Sequence, residues 1–293
     1  MRIKRNFQTI LKVLFIALLA FFIWSRFYPE TARNLPKFIY NIVHTNKGII
    51  DDIRWELKDD TLIIEPLGRN FNMPNYDIYP WDDKKLLIKR VLLSPNILTI
   101  GDNAFKDCIN LTNLSSEENN PYISVYSIGN NAFENCRSLL QIKFHLKFNF
   151  ESVKIGNSAF KGCENLRGFD YLSSSSKIIY IGESAFAYCK SLSDIDYLLK
   201  ELDLIEESTF IGCEKIERFT LPENIKIIKN NAFFDCCNIK RINCGSFNPP
   251  IIEEYTFKNV PKDITIVVRE GAADNYRNAD YWKQFPNIKE YPK

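Results

Sequence analysis

The chain has 293 residues, 45% hydrophobic and 14% aromatic, enough apolar material for a continuous core, which excludes a disordered chain. Lys and Arg total 38 against 36 Asp and Glu, interspersed, for a net charge of +2. No basic stripe therefore selects nucleic acid as a partner.

Arg2, Lys4 and Arg5 precede an apolar run from Val13 to Trp24, the order of charge and then hydrophobic segment found in export signals. Residues 1–28 thus read as a signal-anchor or a signal peptide. The run is shorter than the about 20 residues of a span, which suits a cleaved signal. Against cleavage, Phe21, Phe22, Ile23 and Trp24 are bulky where a processing site needs small residues. With Lys12 snorkelling, Phe7 to Phe27 just reaches across, with Trp24 and Tyr28 at the far interface. An uncleaved anchor with its N-terminus inside is the expectation. No cysteine precedes Cys108, which excludes lipid attachment at a processed N-terminal cysteine.

Residues 29–48 form a stalk or linker. Leu35, Phe38, Ile39, Ile42 and Val43 have helical spacing after Pro36, and a juxtamembrane helix and a partly ordered linker both fit. From 49 to 97, stretches such as Leu57-x-x-x-Thr61-Leu62-Ile63-Ile64 and Leu86-Leu87-Ile88-Lys89-Arg90-Val91-Leu92-Leu93 predict strands in an N-terminal cap, since an uncovered solenoid end exposes apolar surface.

Residues 98–260 repeat one phrase, I-G-x-[NS]-A-F-x-x-C-x-x-L-x-x-[IF]. Its phenylalanines are Phe105, Phe133, Phe160, Phe186, Phe210, Phe233 and Phe257, at steps of 28, 27, 26, 24, 23 and 24 residues. A period in this range means a solenoid whose coils bury their apolar sides only against one another. Asn103, Asn131, Ser158, Ser184, Ser208 and Asn231 sit two before the phenylalanine, where a short polar side chain caps a helical turn. Phenylalanine, cysteine and leucine three apart then share one face of that turn. Leu139-x-x-Ile142-x-Phe144 and Leu192-x-x-Ile195-x-Tyr197 switch to the alternation of a strand. The predicted fold class is an α+β repeat, a helical turn plus a strand per coil, with a parallel sheet of short strands.

The wording of the phrase resembles the BspA-like (Treponema pallidum type) leucine-rich repeats of bacterial surface proteins and some parasitic protists. Trp55 to Ile64, Met73-Pro74-Asn75-Tyr76 and Pro80-Trp81 resemble the leader of such proteins. Thr265-Ile266-Val267-Val268-Arg269 with Tyr276, Trp282, Phe285 and Ile288 resembles their closing unit, a strand followed by a short helix, here the C-terminal cap at 261–293. The resemblance covers about residues 50–291 and implies surface display and adhesion.

Departures from the pattern are informative. Glu206, Lys229 and Glu253 fill the glycine slot in the last three copies, so that slot cannot require a positive φ. Extra residues at Ser115 to Ser124, Lys147 to Glu151 and Ser173 to Ser176 are expected in rim loops. Cys108, Cys136, Cys163, Cys189, Cys213 and Cys236 fill one slot per copy, which Val260 fills in the last. They are read as a ladder of buried thiols. A spacing near 5 Å between coils also admits single bridges. The Cys236, Cys237 and Cys244 cluster lacks a C-x-x-C pair or nearby histidine, so no metal is expected.

Catalytic groupings are sparse, and neither an enzyme nor a cofactor is expected. The histidines are His44, in the stalk, and His145, just after a strand; Asp194 and Asp196 share a face if their segment is a strand. Sequons at Asn110 and Asn113 fall inside a packed coil and read as accidental. What the repeats offer is a surface. Residues beside each inward Ile or Phe point to the concave side: Asn113 and Ser115, Gln141 and Lys143, Gly168 and Asp170, Asp194 and Asp196, Arg218 and Thr220, Arg241 and Asn243. Gln141, Lys143, Asp170, Asp194, Asp196, Arg218, Thr220, Arg241 and Asn243 are the candidate partner-binding residues. Such a broad face suits a protein or other extracellular macromolecule more than a small substrate. The function expected is a non-catalytic surface adhesion module, and the alternative is a structural component of the cell envelope.

Overall fold

The structure, a computed structural model, describes residues 46–116, 121–144, 152–171 and 177–291. Lys47–Lys293 is one compact unit. The segments expected to be an anchor and, for the most part, a stalk, like His44 and His145, lie outside the described residues.

The unit begins with an antiparallel meander, β1 (Lys47–Ile50), β2 (Ile53–Lys58) and β3 (Thr61–Pro66). Ile53, Trp55 and Leu57 point inward and Arg54, Glu56 and Lys58 outward, the period-two pattern of a half-buried sheet. Strand β3 then runs parallel to β5 (Arg90–Leu93), and β5 to β7 (Asn113–Ser115).

From there each coil contributes to two parallel ladders. The first contains β4 (Phe71–Asn72), β6 (Ile97–Ile100), β9 (Ser127–Ile128), β11 (Ser152–Ile155) and β13 (Lys177–Ile181). It resumes as β14 (Leu204–Ile205), β16 (Ile227–Ile228) and β18 (Ile251–Ile252). The second contains β8 (Tyr122–Ile123), β10 (Ile142–Phe144) and β12 (Phe169–Tyr171), and later β15 (Arg218–Leu221), β17 (Arg241–Cys244), β19 (Thr265–Val268) and β20 (Asn287–Glu290). Strand β8 lies in the first insertion, so that stretch is not only a rim loop: it supplies the rung on which β10 pairs.

The link between the ladders corrects the predicted helical turn. Asn103, Asn131, Ser158, Ser184, Ser208 and Asn231 all have φ between 54° and 61°, the left-handed region that Asn tolerates best among non-glycine residues. They are interior residues of tight turns and not helix caps. The bonds run i to i+3: Gly101 O accepts Ala104 N–H at 3.3 Å, Asn103 O accepts Lys106 N–H and Phe105 O accepts Cys108 N–H, both at 3.1 Å. Alternate amides leave the coil altogether. Asn103, Phe105 and Asp107 N–H donate to Asn130, Ala132 and Glu134 O of the next coil at 2.8 to 2.9 Å. These amides have neighbours to satisfy them, so the segment needs no helical bonds. The α+β label is accordingly loose: the fold is a solenoid of parallel strands, with α1 (Asp196–Leu199) and α2 (Ala273–Asn278) its α-helices among the described residues.

Inside, the phenylalanines stack. Phe105, Phe133, Phe160, Phe186, Phe210, Phe233 and Phe257 are at most 1% exposed, and successive rings lie 5.2 to 5.6 Å apart, within 24° of parallel. Trp81 stacks on Phe105 at 6.2 Å, and Trp282 packs on Phe257 at 5.7 Å. Each indole N–H is satisfied by a backbone carbonyl at 2.8 Å, of Ala104 and Pro250 respectively. Tyr276 and Phe285 are buried against Trp282, and Ile288 is buried on β20.

The glycine slot works by close approach. Asn75, Asp102, Asn130 and Asn157 each accept, through a side-chain oxygen, the N–H of the equivalent residue in the next coil at 2.7 to 3.0 Å. A Cβ on Gly129 would sit 2.5 Å from Asp102 Oδ1 and 2.6 Å from its backbone N. Past Glu183 the slot holds Glu206 and Lys229, which form an ion pair at 2.5 Å.

Candidate binding surface

The second ladder places the nine candidate residues. Lys143 pairs with Asp170, Arg218 with Arg241 and Thr220 with Asn243, each across parallel neighbours. Strand alternation buries Ile142, Phe219 and Ile242 between them and turns the flanking residues outward. The side chain of Asp170 is outside the described set. Ser115, expected outward, is 6% exposed at the end of β7.

Asp194 and Asp196 correct a second expectation. Their segment is not a strand: Asp196 begins α1, and the buried pair Leu198 and Leu199 cannot both face the core from an extended chain. Asp196 nevertheless stays in the row. Its carboxylate accepts the Thr220 N–H at 2.7 Å and hydroxyl at 3.2 Å. Asn243 donates to the Thr220 hydroxyl at 3.4 Å, Arg241 Nε donates to Asn243 Oδ1 at 2.7 Å, and Asp194 Oδ1 accepts the Asp196 N–H at 3.2 Å. Five of the nine are thus joined to Thr220 or to one another, and Arg218 and Arg241 stand exposed side by side.

The helix also interrupts the ladder. Strand β12 is the last of its sheet and β15 the first of the next. At this break a depression of about 170 Å³ opens, lined by Gln141, Arg167, Gly168 and Phe169 on one side and Asp194, Tyr197 and Leu198 on the other. Gly168 explains the space. It precedes β12 as Gln141 precedes β10, and a Cβ added there meets nothing within 4 Å. The outward row therefore reads amide, gap, carboxylate.

A family model described as BspA type leucine rich repeat region matches in six copies, over residues 84–195 and 127–264, more than half of the chain. The chain belongs to the BspA-type leucine-rich repeat family. Among solved structures, a leucine-rich repeat protein of Bacteroides ovatus is 20% identical, with 83% of this chain and 67% of that one covered and a TM-score of 0.46. The leucine-rich repeat protein of T. pallidum is 19% identical over 81% and 93%, with a TM-score of 0.37. A leucine rich cell surface protein of Faecalibacterium prausnitzii is 15% identical over 85% and 96%, with a TM-score of 0.28. These likenesses carry no residue roles across. No curated protein matches the chain.

In this BspA-type solenoid the cysteine slot is a sulfur ladder. Cys108, Cys136, Cys163, Cys189, Cys213 and Cys236 are fully buried free thiols. From Cys136 onward each Sγ donates to the phenylalanine carbonyl of the preceding coil at 3.1 to 3.2 Å, a bond that alanine or valine cannot make. Burial pushes these thiols up, Cys108 and Cys236 to about 12 and Cys136, Cys163 and Cys213 well above the usual value. A thiol held protonated is a poor nucleophile, so the ladder is structural. Cys237 of the terminal cluster is exposed, whereas Cys236 and Cys244 are buried.

Among the described residues no group of three or more His, Cys, Asp or Glu could hold a metal ion, and no helix is long and apolar enough to cross a membrane. The row extends further than sequence reasoning took it. Strands β19 and β20 add Thr265 and Asn287 beside Arg241 in the same register.

Proposed function

We propose that this chain is a non-catalytic surface module that holds a macromolecular partner, a protein or other extracellular polymer, on the outward face of its second ladder. The observation that supports this reading is the row from Asp194 to Asn243: polar side chains fixed by hydrogen bonds at the start of α1 and on the paired strands β15 and β17, with Arg218 and Arg241 exposed beside each other. Preorganised polar groups lose little freedom on binding. Like charges on neighbouring strands favour a partner that brings acidic groups. The export-type N-terminus, Arg2 to Trp24, supports placement at the cell surface, with the chain held to the membrane by residues 1–28.

A second reading, an envelope scaffold, is favoured by the opposite face. There Leu204, Ile227 and Ile251 lie in register on β14, β16 and β18, with Ile251 66% exposed. The two separate experimentally. Protease added to intact cells should cleave the chain, and beads carrying the full-length chain should adhere to immobilised extracellular matrix. Arg218→Glu with Arg241→Glu should weaken that adhesion tenfold or more, while Ile227→Ser with Ile251→Ser leaves it unchanged. Adhesion insensitive to the charge reversal, or a chain shielded from protease, would defeat the reading.

A further inference from the structure

We propose that the depression over Gly168 binds a free α-amino acid with an apolar side chain. The inference rests on the break in the second ladder and not on the arginine pair used for adhesion.

Four features select the ligand. The size fits first: about 170 Å³ is the share of five or six waters in the liquid, room for one residue-sized molecule and not for a nucleotide. The shape follows from the rungs. Gln141 and Asp194 stand two coils apart, roughly 10 Å at the spacing of paired strands, and the missing side chain of Gly168 leaves the floor between them open. Charge is the third feature. Arg167 and Asp194, both exposed, bring opposite charges to the rim from adjacent coils. A simple anion would meet the Asp194 carboxylate and a simple cation the Arg167 guanidinium, whereas a zwitterion places its carboxylate on Arg167 and its ammonium on Asp194. Gln141, partly buried, supplies an amide that donates on the Arg167 side of the depression. The floor is the fourth: Phe169 and Tyr197, both partly exposed, offer two rings to an apolar substituent.

Such a ligand, of about nine heavy atoms in a shallow site, is expected to bind with a Kd of about 1 mM. The test is saturation-transfer NMR on the full-length chain in nanodiscs with four probes: L-leucine, leucinamide, N-acetyl-leucine, and N-acetyl-leucinamide. Leucine should bind, and each analogue lacking one or both charges should bind at least tenfold more weakly. Arg167→Gln and Asp194→Asn should each weaken leucine about tenfold. Gly168→Leu, whose Cβ would meet nothing within 4 Å, should abolish binding at an unchanged Tm. Absence of leucine binding, or equal binding of N-acetyl-leucinamide, overturns the proposal. Leucinamide binding as well as leucine would instead assign the site to a protein N-terminus and overturns it too. Adhesion and its dependence on Arg218 and Arg241 are measured separately, so the two readings fail independently.

Discussion

Phe160→Ala is expected to lower the stability of the chain by about 3 to 5 kcal/mol, the range for truncating a fully buried phenylalanine. The ring is 0% exposed. It lies between Phe133 at 5.2 Å and Phe186 at 5.4 Å, nearly parallel to both, and Phe169 meets its edge at 5.3 Å. Truncation removes the apolar area of the ring and leaves a cavity that the paired strands on both sides hold open, because coils locked in register cannot collapse toward it. In a solenoid stability is nearly a sum over coils and their interfaces, and this residue serves two interfaces. Urea denaturation of wild type and variant reads the effect directly. An unchanged midpoint would mean that the ring is not in the column.

A second large effect is expected in alkali. Burial is the leading cause holding Cys108, Cys136, Cys163, Cys189, Cys213, Cys236 and Cys244 above the ordinary thiol range, with Cys108, Cys236 and Cys244 at about 12. A raised folded-state value means that the unfolded chain releases its protons first. The protonated thiols contribute fully at pH values below about 8.5, and that contribution is lost as pH rises toward 12. Each thiol then costs about 1.4 kcal/mol per pH unit, so seven together cost about 10 kcal/mol per unit, comparable with the whole stability of an ordinary domain. Tyr79 and Tyr276, also raised by burial, act in the same direction above pH 10. The chain should therefore unfold near pH 10. Cys163→Ala with Cys189→Ala should make the alkaline decline shallower by two parts in seven. Stability that stays level from pH 8 to 10.5 would contradict this.

The inward columns were readable because burial constrains residue type strongly at a fixed step. The local backbone was misread because Asn-Ala-Phe-x-x-Cys supports two conformations that bury the same side chains. The deciding signal lay two residues past the phenylalanine, where Asp107, Asn135, Gly162, Gly212, Asp235 and Asn259 all adopt positive φ. Residue types that accept the left-handed region twice within five positions exclude a helix. Tyr188, at φ 61° in the same slot, departs from that rule. The strand assigned to Leu192 to Tyr197 failed for a different reason. Consecutive Leu198 and Leu199 both need burial, and one helical turn achieves that where alternation cannot. Aligning Gln141, Gly168 and Asp194 in one outward column already implied a gap, but only coordinates show that a helix starts beside it and walls it with Tyr197 and Leu198. Trp81 and Trp282 were visible as aromatics, though their ring contacts with the end phenylalanines depend on distant chain segments.

The claim beneath all of this is that sulfur and aromatic side chains point inward coil upon coil, and thiol stoichiometry tests it most directly. The chain has eight cysteines, of which Cys237 alone is exposed. Under native conditions at pH 7.5 a thiol reagent should modify one cysteine per chain rapidly, mapped to Cys237, and all eight after denaturation. Rapid native reaction at Cys136, Cys163 or Cys189 would place the ladder at the surface and contradict the solenoid described above.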